Sequence, residues 1–227
     1  MKVGLLGGTF DPVHRGHVYV AQHVMRVFRL DLVLFLVAGE PPHKASVGIS
    51  NRFHRYAMTV FELVPYSRLV ASSWELSRRG ASYTYQTLKE LSHVAPECSY
   101  LFIAGSDALR EIHLWKDYDK LLREQSFVFI QRCGAGVDLA RLELPQAYRA
   151  HISLISPSDK PKVIPGKSFL LDIKAPAISA STIRQLIAAG KRPPSDQLSP
   201  RVYGYIKKHR LYDNQESTEK SLCCDSR

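Results

Sequence analysis

Short apolar runs alternate along the chain with longer stretches in which apolar residues recur at helical spacing. The first run, Val3 to Leu6, enters Gly7-Gly8, and the segment from Gly16 to Phe28 has a helical apolar repeat. This reads as strand, tight loop, helix. A second run, Leu32 to Ala38, ends at Gly39, and Pro41-Pro42 then force an extended loop carrying His43 and Lys44. Further strands are predicted at Arg68 to Ser72, Ser99 to Ala104, Phe127 to Gln131, Ile152 to Ile155 and Phe169 to Ile173. Helix-like segments lie near 51–64, 83–94, 107–123 and 137–149.

Alternation of this kind predicts an α/β fold, a Rossmann-like parallel sheet with helices on both faces. Two shorter helices follow, Ser181 to Ala189 ending at Gly190 and Pro200 to His209, with Pro193-Pro194 between them. They predict a small C-terminal helical subdomain over about 178–212, inside a single domain spanning 1–212. Residues 213–227 are polar and aperiodic and are expected to form a mobile tail. In parallel sheets ligands bind beyond the carboxyl ends of the strands, and Gly7-Gly8, Pro41 to Lys44 and Gly105 to Asp107 all fall there. The prolines and glycine of Pro41 to Ser50 predict a loop that closes over the site.

Composition leaves this picture intact. The 227 residues suffice for one substantial core, and 45% hydrophobic with 23% charged residues is ordinary for a globular protein. The longest apolar run is far short of the about 20 residues a membrane helix needs, and no leader pattern opens the chain. No membrane association is expected. Cys98, Cys133, Cys223 and Cys224 form neither a disulfide framework nor paired zinc clips, so a reducing cytoplasm is the expected setting. A net charge of +10 fits either nucleic acid or a small polyanion. The basic residues are scattered, with short clusters only at Arg78-Arg79 and Lys207-Lys208-His209-Arg210, which favours the small polyanion.

Candidate chemistry concentrates in Gly7-Gly8-Thr9-Phe10-Asp11-Pro12-Val13-His14-Arg15-Gly16-His17. Paired glycines let backbone amides approach a polyanion, and the next helix turns its positive end to the same place. His14 and His17, three apart, share a helix face and can donate to one phosphate. Singly, a glycine pair is an ordinary turn and a histidine an ordinary cap; the combination is not. It is neither GxxxxGK[ST] nor GxGxxG, which disfavours P-loop kinases and dehydrogenase pyrophosphate turns. Near the other end, Ser179 or Ser181 is a natural N-cap, its helix start exposes amides, and Arg184 adds a permanent forked charge.

His14-Arg15-Gly16-His17 resembles the H-x-G-H signature of a nucleotidyltransferase superfamily, and Ile178-Ser179-Ala180-Ser181-Thr182-Ile183-Arg184 is similar to its I-S-x-S/T-x-x-R element. Over roughly residues 1 to 212 the chain resembles the bacterial nicotinate-nucleotide adenylyltransferases, through Pro41-Pro42-His43-Lys44, Ala81-Ser82-Tyr83-Thr84 followed by Thr87-Leu88, Gly105-Ser106-Asp107 and Trp115. The resemblance implies an ATP site at Gly7, Gly8, Thr9, Phe10, His14, His17, Gly105, Asp107, Ile178, Ser179, Ser181, Thr182 and Arg184. It implies a mononucleotide site at His43, Lys44, Ser82, Tyr83, Thr84, Trp115, Lys116 and Arg132. Trp115 would stack on the pyridine, with Thr84 and the Lys116 amide meeting its carboxylate. Two positions depart from the family: Lys116 stands where many relatives carry an aromatic residue, and Cys133 follows Arg132 where proline is common.

The activity implied is transfer of AMP from ATP to nicotinate mononucleotide, giving deamido-NAD and pyrophosphate in NAD biosynthesis. His14, His17 and Arg184 are the expected catalytic groups. Mg²⁺ is expected on the ATP phosphates, since no dense carboxylate cluster offers a protein metal cage. ATP and nicotinate mononucleotide are the expected partners, with no nucleic acid, and with a homo-oligomer left open. Phosphopantetheine adenylyltransferase, a cytidylyltransferase and a non-catalytic basic nucleotide- or nucleic-acid-binding protein are the alternatives.

Overall fold

The computed structural model describes residues 1–40, 48–78, 80–131, 139–142, 144–173 and 175–213. Its strands are β1 (Lys2–Gly8), β2 (Leu32–Val37), β3 (Leu69–Ser72), β4 (Ser99–Gly105), β5 (Ser126–Gln131), β6 (Ile152–Ile155) and β7 (Ser168–Asp172). They form one sheet in the order β3-β2-β1-β4-β5-β7-β6. Every pairing is parallel. Helices fill the connections: α1 (Arg15–Phe28), α2 (Arg52–Leu63), α3 (Thr84–Val94), α4 (Ser106–Glu111), α5 (Tyr118–Glu124) and α6 (Gln146–Arg149), then α7 (Ala180–Ala188) and α8 (Pro200–Lys208).

Both faces of the sheet are covered, which is why its strands read as continuous apolar runs. Leu101, Ile103, Val128 and Ile130 pack on one side with Val24 and Phe28 of α1, Met58 of α2, Ile183 of α7 and Ile206 of α8. Their strand neighbours Phe102, Ala104, Phe127 and Phe129 pack on the other with Leu88 of α3, Leu109 of α4 and Leu121 of α5. Phe127, Phe129 and Leu101 lose all contact with solvent, and burial of such a side chain contributes about 1.5–3 kcal/mol. The two C-terminal helices therefore share a core with α1 and α2. Helix α8 begins at Pro200, where a missing amide costs nothing, and Ser199 caps it by accepting from the Val202 amide at 3.3 Å.

Two predicted helices take a different form. The segment 107–123 breaks into α4, a 3-10 turn at Ile112–Leu114 and α5, with Trp115 extended and Asp117 left-handed at φ 56°. Leu109, Ile112, Leu121 and Leu122 all reach the same core, so the apolar spacing survives the break that hides within it. Of 137–149, residues 137, 138 and 143 lie outside the described residues, and the others hold a 3-10 turn at Leu139–Arg141 and the short α6. Pro145, which lacks an amide, separates them. The expected closing segment falls largely on 41–47 and the expected tail on 214–227, both outside the described residues.

One buried acid lies in the core between α1, α2 and α8. Glu62 is 1% exposed, with Arg15 Nη1 at 3.4 Å from its Oε1. Burial raises its pKa above 4.5, against the opposing pull of Ser199, Arg15 and Arg201. A raised folded-state pKa means that this group's contribution is complete below about pH 4.5 and is lost as pH rises through the folded value. In denaturant titrations Glu62→Gln is expected to gain on the parent as pH goes from acid to neutral; a constant difference would refute the shift.

Candidate active site

The order of the strands creates the site. The chain steps outward from β1 to β2 and β3, then returns to place β4 on the other side of β1, opening a crevice at the carboxyl ends of β1 and β4. Beyond β1, residues 9–14 turn the chain into α1, whose N-cap is His14. The His14 amide donates to His17 Nδ1 at 3.2 Å. A backbone amide can only donate, so Nδ1 is an acceptor and the neutral His17 ring carries its proton on Nε2. The two imidazoles stack with centroids 3.7 Å apart, and the Phe10 ring meets His17 edge-on at 5.0 Å. Rotation of either ring is thereby restricted. A side chain at Gly16 would press within 3.0 Å of His14 Nδ1, so the glycine leaves room for the His14 ring.

Two cavities share this crevice. The first, 440 Å³, is lined on one side by Gly7 to Asp11, His14, Gly16 and His17, and on the other by Gly105, Asp107, Ile178 to Ser181 and Arg184. The second, 260 Å³, shares Gly7, Gly8, Thr9, Gly105 and Asp107 and extends to Ser82, Tyr83, Thr84, Phe102, Trp115 and Lys116. The structure thus gathers the expected ATP residues other than Thr182 around one cavity and the described mononucleotide residues around its neighbour. Thr182 is exposed in the first turn of α7, outside both linings. His43, Lys44 and Arg132 lie outside the described residues.

Several assignments gain detail. Ser179, not Ser181, is the N-cap of α7, and the two hydroxyls are 2.6 Å apart at the helix start. Arg184 Nη1 donates to the Asp11 carbonyl at 2.6 Å, which fixes the guanidinium beside the turn while it lines the first cavity. The Asp107 carboxylate folds back so closely that a Cβ at Gly105 would collide with it. The Ser82 hydroxyl accepts from the Gly39 amide at 3.1 Å and so ties the end of β2 to the second cavity. Trp115 is half-buried, edge-on to Phe102 at 6.2 Å, and Lys116 Nζ sits 4.7 Å from the Tyr83 ring centroid. Arg15, between the two histidines, is engaged elsewhere, donating to the Tyr66 hydroxyl at 2.8 Å.

Residues that sequence reasoning missed bind the loops together. Arg55 of α2 is 1% exposed, and its guanidinium donates to three carbonyls: Ser50 at 3.0 Å, Thr9 at 2.8 Å and Gly39 at 2.9 Å. Burial lowers its pKa, with Asp11 pulling the other way. Asp11 accepts from Tyr212 and from the Ser50 amide. Glu75, 7% exposed, lines the second cavity and accepts from the Thr87 hydroxyl at 2.6 Å. In sequence Arg55 and Glu75 read as ordinary charged residues that no spacing marks, and Asp11, though inside the glycine-histidine segment, carries no sign of these partners.

A glycine-paired turn with two stacked histidines, facing a helix start and an arginine across the switch point of a parallel sheet, defines a class: cytidylyltransferase-like proteins, whose family model matches residues 5–186. Within that class the chain belongs to the nicotinate-nucleotide adenylyltransferases. It is 35% identical over 217 residues to a probable nicotinate-nucleotide adenylyltransferase of Thermoanaerobacter sp., covering 95% of this chain and 96% of that one. A probable nicotinate-nucleotide adenylyltransferase of Tropheryma whipplei is 38% identical over 208 residues, 91% and 97% of the two chains. Among solved structures, the Plasmodium falciparum nicotinic acid mononucleotide adenylyltransferase complexed with NaAD shares the fold, with TM-score 0.71 and 21% identity over 93% of this chain and 97% of that one.

Proposed function

We propose that the chain transfers AMP from ATP to nicotinate mononucleotide, with ATP phosphates in the 440 Å³ cavity and the pyridine in the 260 Å³ cavity. The observation that carries this reading is the wall the cavities share, Gly7 to Thr9 with Gly105 and Asp107, which brings two bound anions side by side. A phosphate oxygen of the mononucleotide attacks the α-phosphorus of ATP, a new P–O bond forms, and the bond to the β-phosphate oxygen breaks, pyrophosphate leaving with the electron pair. The nucleophile is already ionised near neutral pH, so no general base is needed. Rate comes from positioning and from donors aimed at the developing charge.

His17 Nε2–H is the donor proposed nearest the reacting phosphate, with His14 beside it. Arg184 and the amides at the start of α7 receive the β and γ phosphates, Thr9 and the Gly8 amide complete the cradle, and Asp107 receives ribose hydroxyls. Trp115 stacks on the pyridine, whose carboxylate meets Thr84 and the Lys116 amide. His43, Lys44 and Arg132 are further proposed contacts for the mononucleotide. Among the described residues no group of three or more His, Cys, Asp or Glu side chains could hold a metal. The Mg²⁺ proposed here would arrive on the ATP phosphates and lower their charge. A cytoplasmic setting remains the simplest one for a chain of this cysteine pattern.

Pyrophosphate release with ATP and Mg²⁺ tests the reading directly, comparing nicotinate mononucleotide, nicotinamide mononucleotide and phosphopantetheine as acceptors. Strong preference for the nicotinate compound is expected. Equal rates for the two pyridines would overturn the carboxylate contacts, and activity with phosphopantetheine alone would overturn the acceptor site. Lys116→Met is expected to reduce the preference for acid over amide by up to about fivefold, the range for an exposed charge, with little change in melting temperature. An unchanged ratio would assign the Lys116 ammonium to solvent.

A further inference from the structure

We propose that Tyr212, in the turn that follows α8, is a positioning residue that holds Asp11 and so fixes both Arg184 and the entry to α2 before substrates bind. This rests on the reading of the first cavity as the ATP phosphate site. The Tyr212 hydroxyl donates to Asp11 Oδ1 at 2.5 Å. Asp11 Oδ2 accepts from the Ser50 amide at 3.2 Å, and the Asp11 carbonyl accepts from Arg184 Nη1 at 2.6 Å. One residue of the phosphate-binding turn is therefore tied to the C-terminal turn, to the segment before α2 and to α7. Arg55 extends the tie by joining Ser50 to Thr9 and Gly39.

The backbone places Tyr212 where such a role requires it. Arg210 and Tyr212 both have left-handed φ, 51° and 65°, a conformation that costs a non-glycine residue free energy and persists where surrounding contacts enforce it. The turn curls back, with the Leu211 amide on the Ile206 carbonyl at 3.0 Å, and delivers the tyrosine ring to Asp11 and to Met58 Sδ at 3.9 Å. Burial, reinforced by the Asp11 charge, raises the phenol pKa, so the hydroxyl remains a donor. Asp11 is 5% exposed, so a carboxylate deprived of this donor has little water to turn to.

Tyr212→Phe removes the hydroxyl and keeps the ring. It is expected to raise the Kd for a non-hydrolysable ATP analogue and the KM for ATP by about tenfold each, the usual scale for a hydrogen bond to a buried charge, while kcat falls by less. Asp11→Asn, which keeps an acceptor for Ser50, is expected to have a similar effect, and the double variant to be no worse than the larger single one. Tyr203→Phe, on α8 with Arg192 over its ring, controls for loss of a hydroxyl from the same helical region. A lower melting temperature with unchanged Kd and KM, or independent losses in the double variant, would overturn the proposal. Should Tyr212→Phe fail to fold, Asp11→Asn alone carries the same expectation and the same refutation. Analogue binding is measured without any acceptor, so a wrong acceptor would leave this result standing.

Discussion

His17→Ala is expected to lower kcat by about 10²–10³-fold, the loss found when a preorganised donor to a developing charge is removed. His17 is suited to that task because its Nδ1 is occupied by the His14 amide, which leaves Nε2–H to donate, and because His14 and Phe10 flank its ring. The same substitution removes one capping contact of α1, which costs about 1 kcal/mol. In a domain of this size that lowers the melting temperature by about 2–4 °C. Turnover and thermal unfolding measured on one preparation separate the two effects. Comparable loss of fold and of activity would remove His17 from the chemistry. His14 is a poorer first test: at 3% exposure its removal also leaves a cavity beneath the turn.

Arg55→Met is expected to be the most destabilising single change, costing about 3–5 kcal/mol. Methionine can fill much of the space but leaves the carbonyls of Ser50, Thr9 and Gly39 without their shared donor, and each unsatisfied buried acceptor costs about 1–3 kcal/mol. Folded proteins have only about 5–15 kcal/mol in total, so about a fifth of the stability or more is at stake. Arg55→Lys should fall between, because an ammonium retains the charge but cannot span three acceptors with one planar fork. Chemical denaturation of the three proteins gives the order. A methionine variant within about 1 kcal/mol of the parent would show that the loops are held together by something else.

Much of this molecule is legible in its sequence because two periodicities survive in it. Runs such as Leu32 to Ala38 and Phe127 to Ile130 are apolar throughout because both faces of a parallel sheet are covered, and they mark the strands within a residue or two. The turn with His14 and His17 and the Ser179 to Arg184 segment stand out because each sets donors and a helix start in short order, the pattern proposed above to receive phosphates. The broken helix around Trp115 is hidden because residues on either side of the break still face one core. Arg55, Asp11, Glu75 and Tyr212 are hidden for another reason: their partners are backbone carbonyls or side chains distant in sequence, up to 201 positions for Tyr212 and Asp11. No local pattern records such a pairing.

The break at Trp115 also divides the labour of the crevice. The first cavity is lined by main chain, strand ends and the start of α7, so an alteration there reaches several elements. The second cavity is lined by a few side chains at the start of α3 and in the turn between α4 and α5, and substitutions at Tyr83, Thr84, Trp115 or Lys116 lie outside the strand pairings. The side chains lining the second cavity can therefore be exchanged with little disturbance to the sheet.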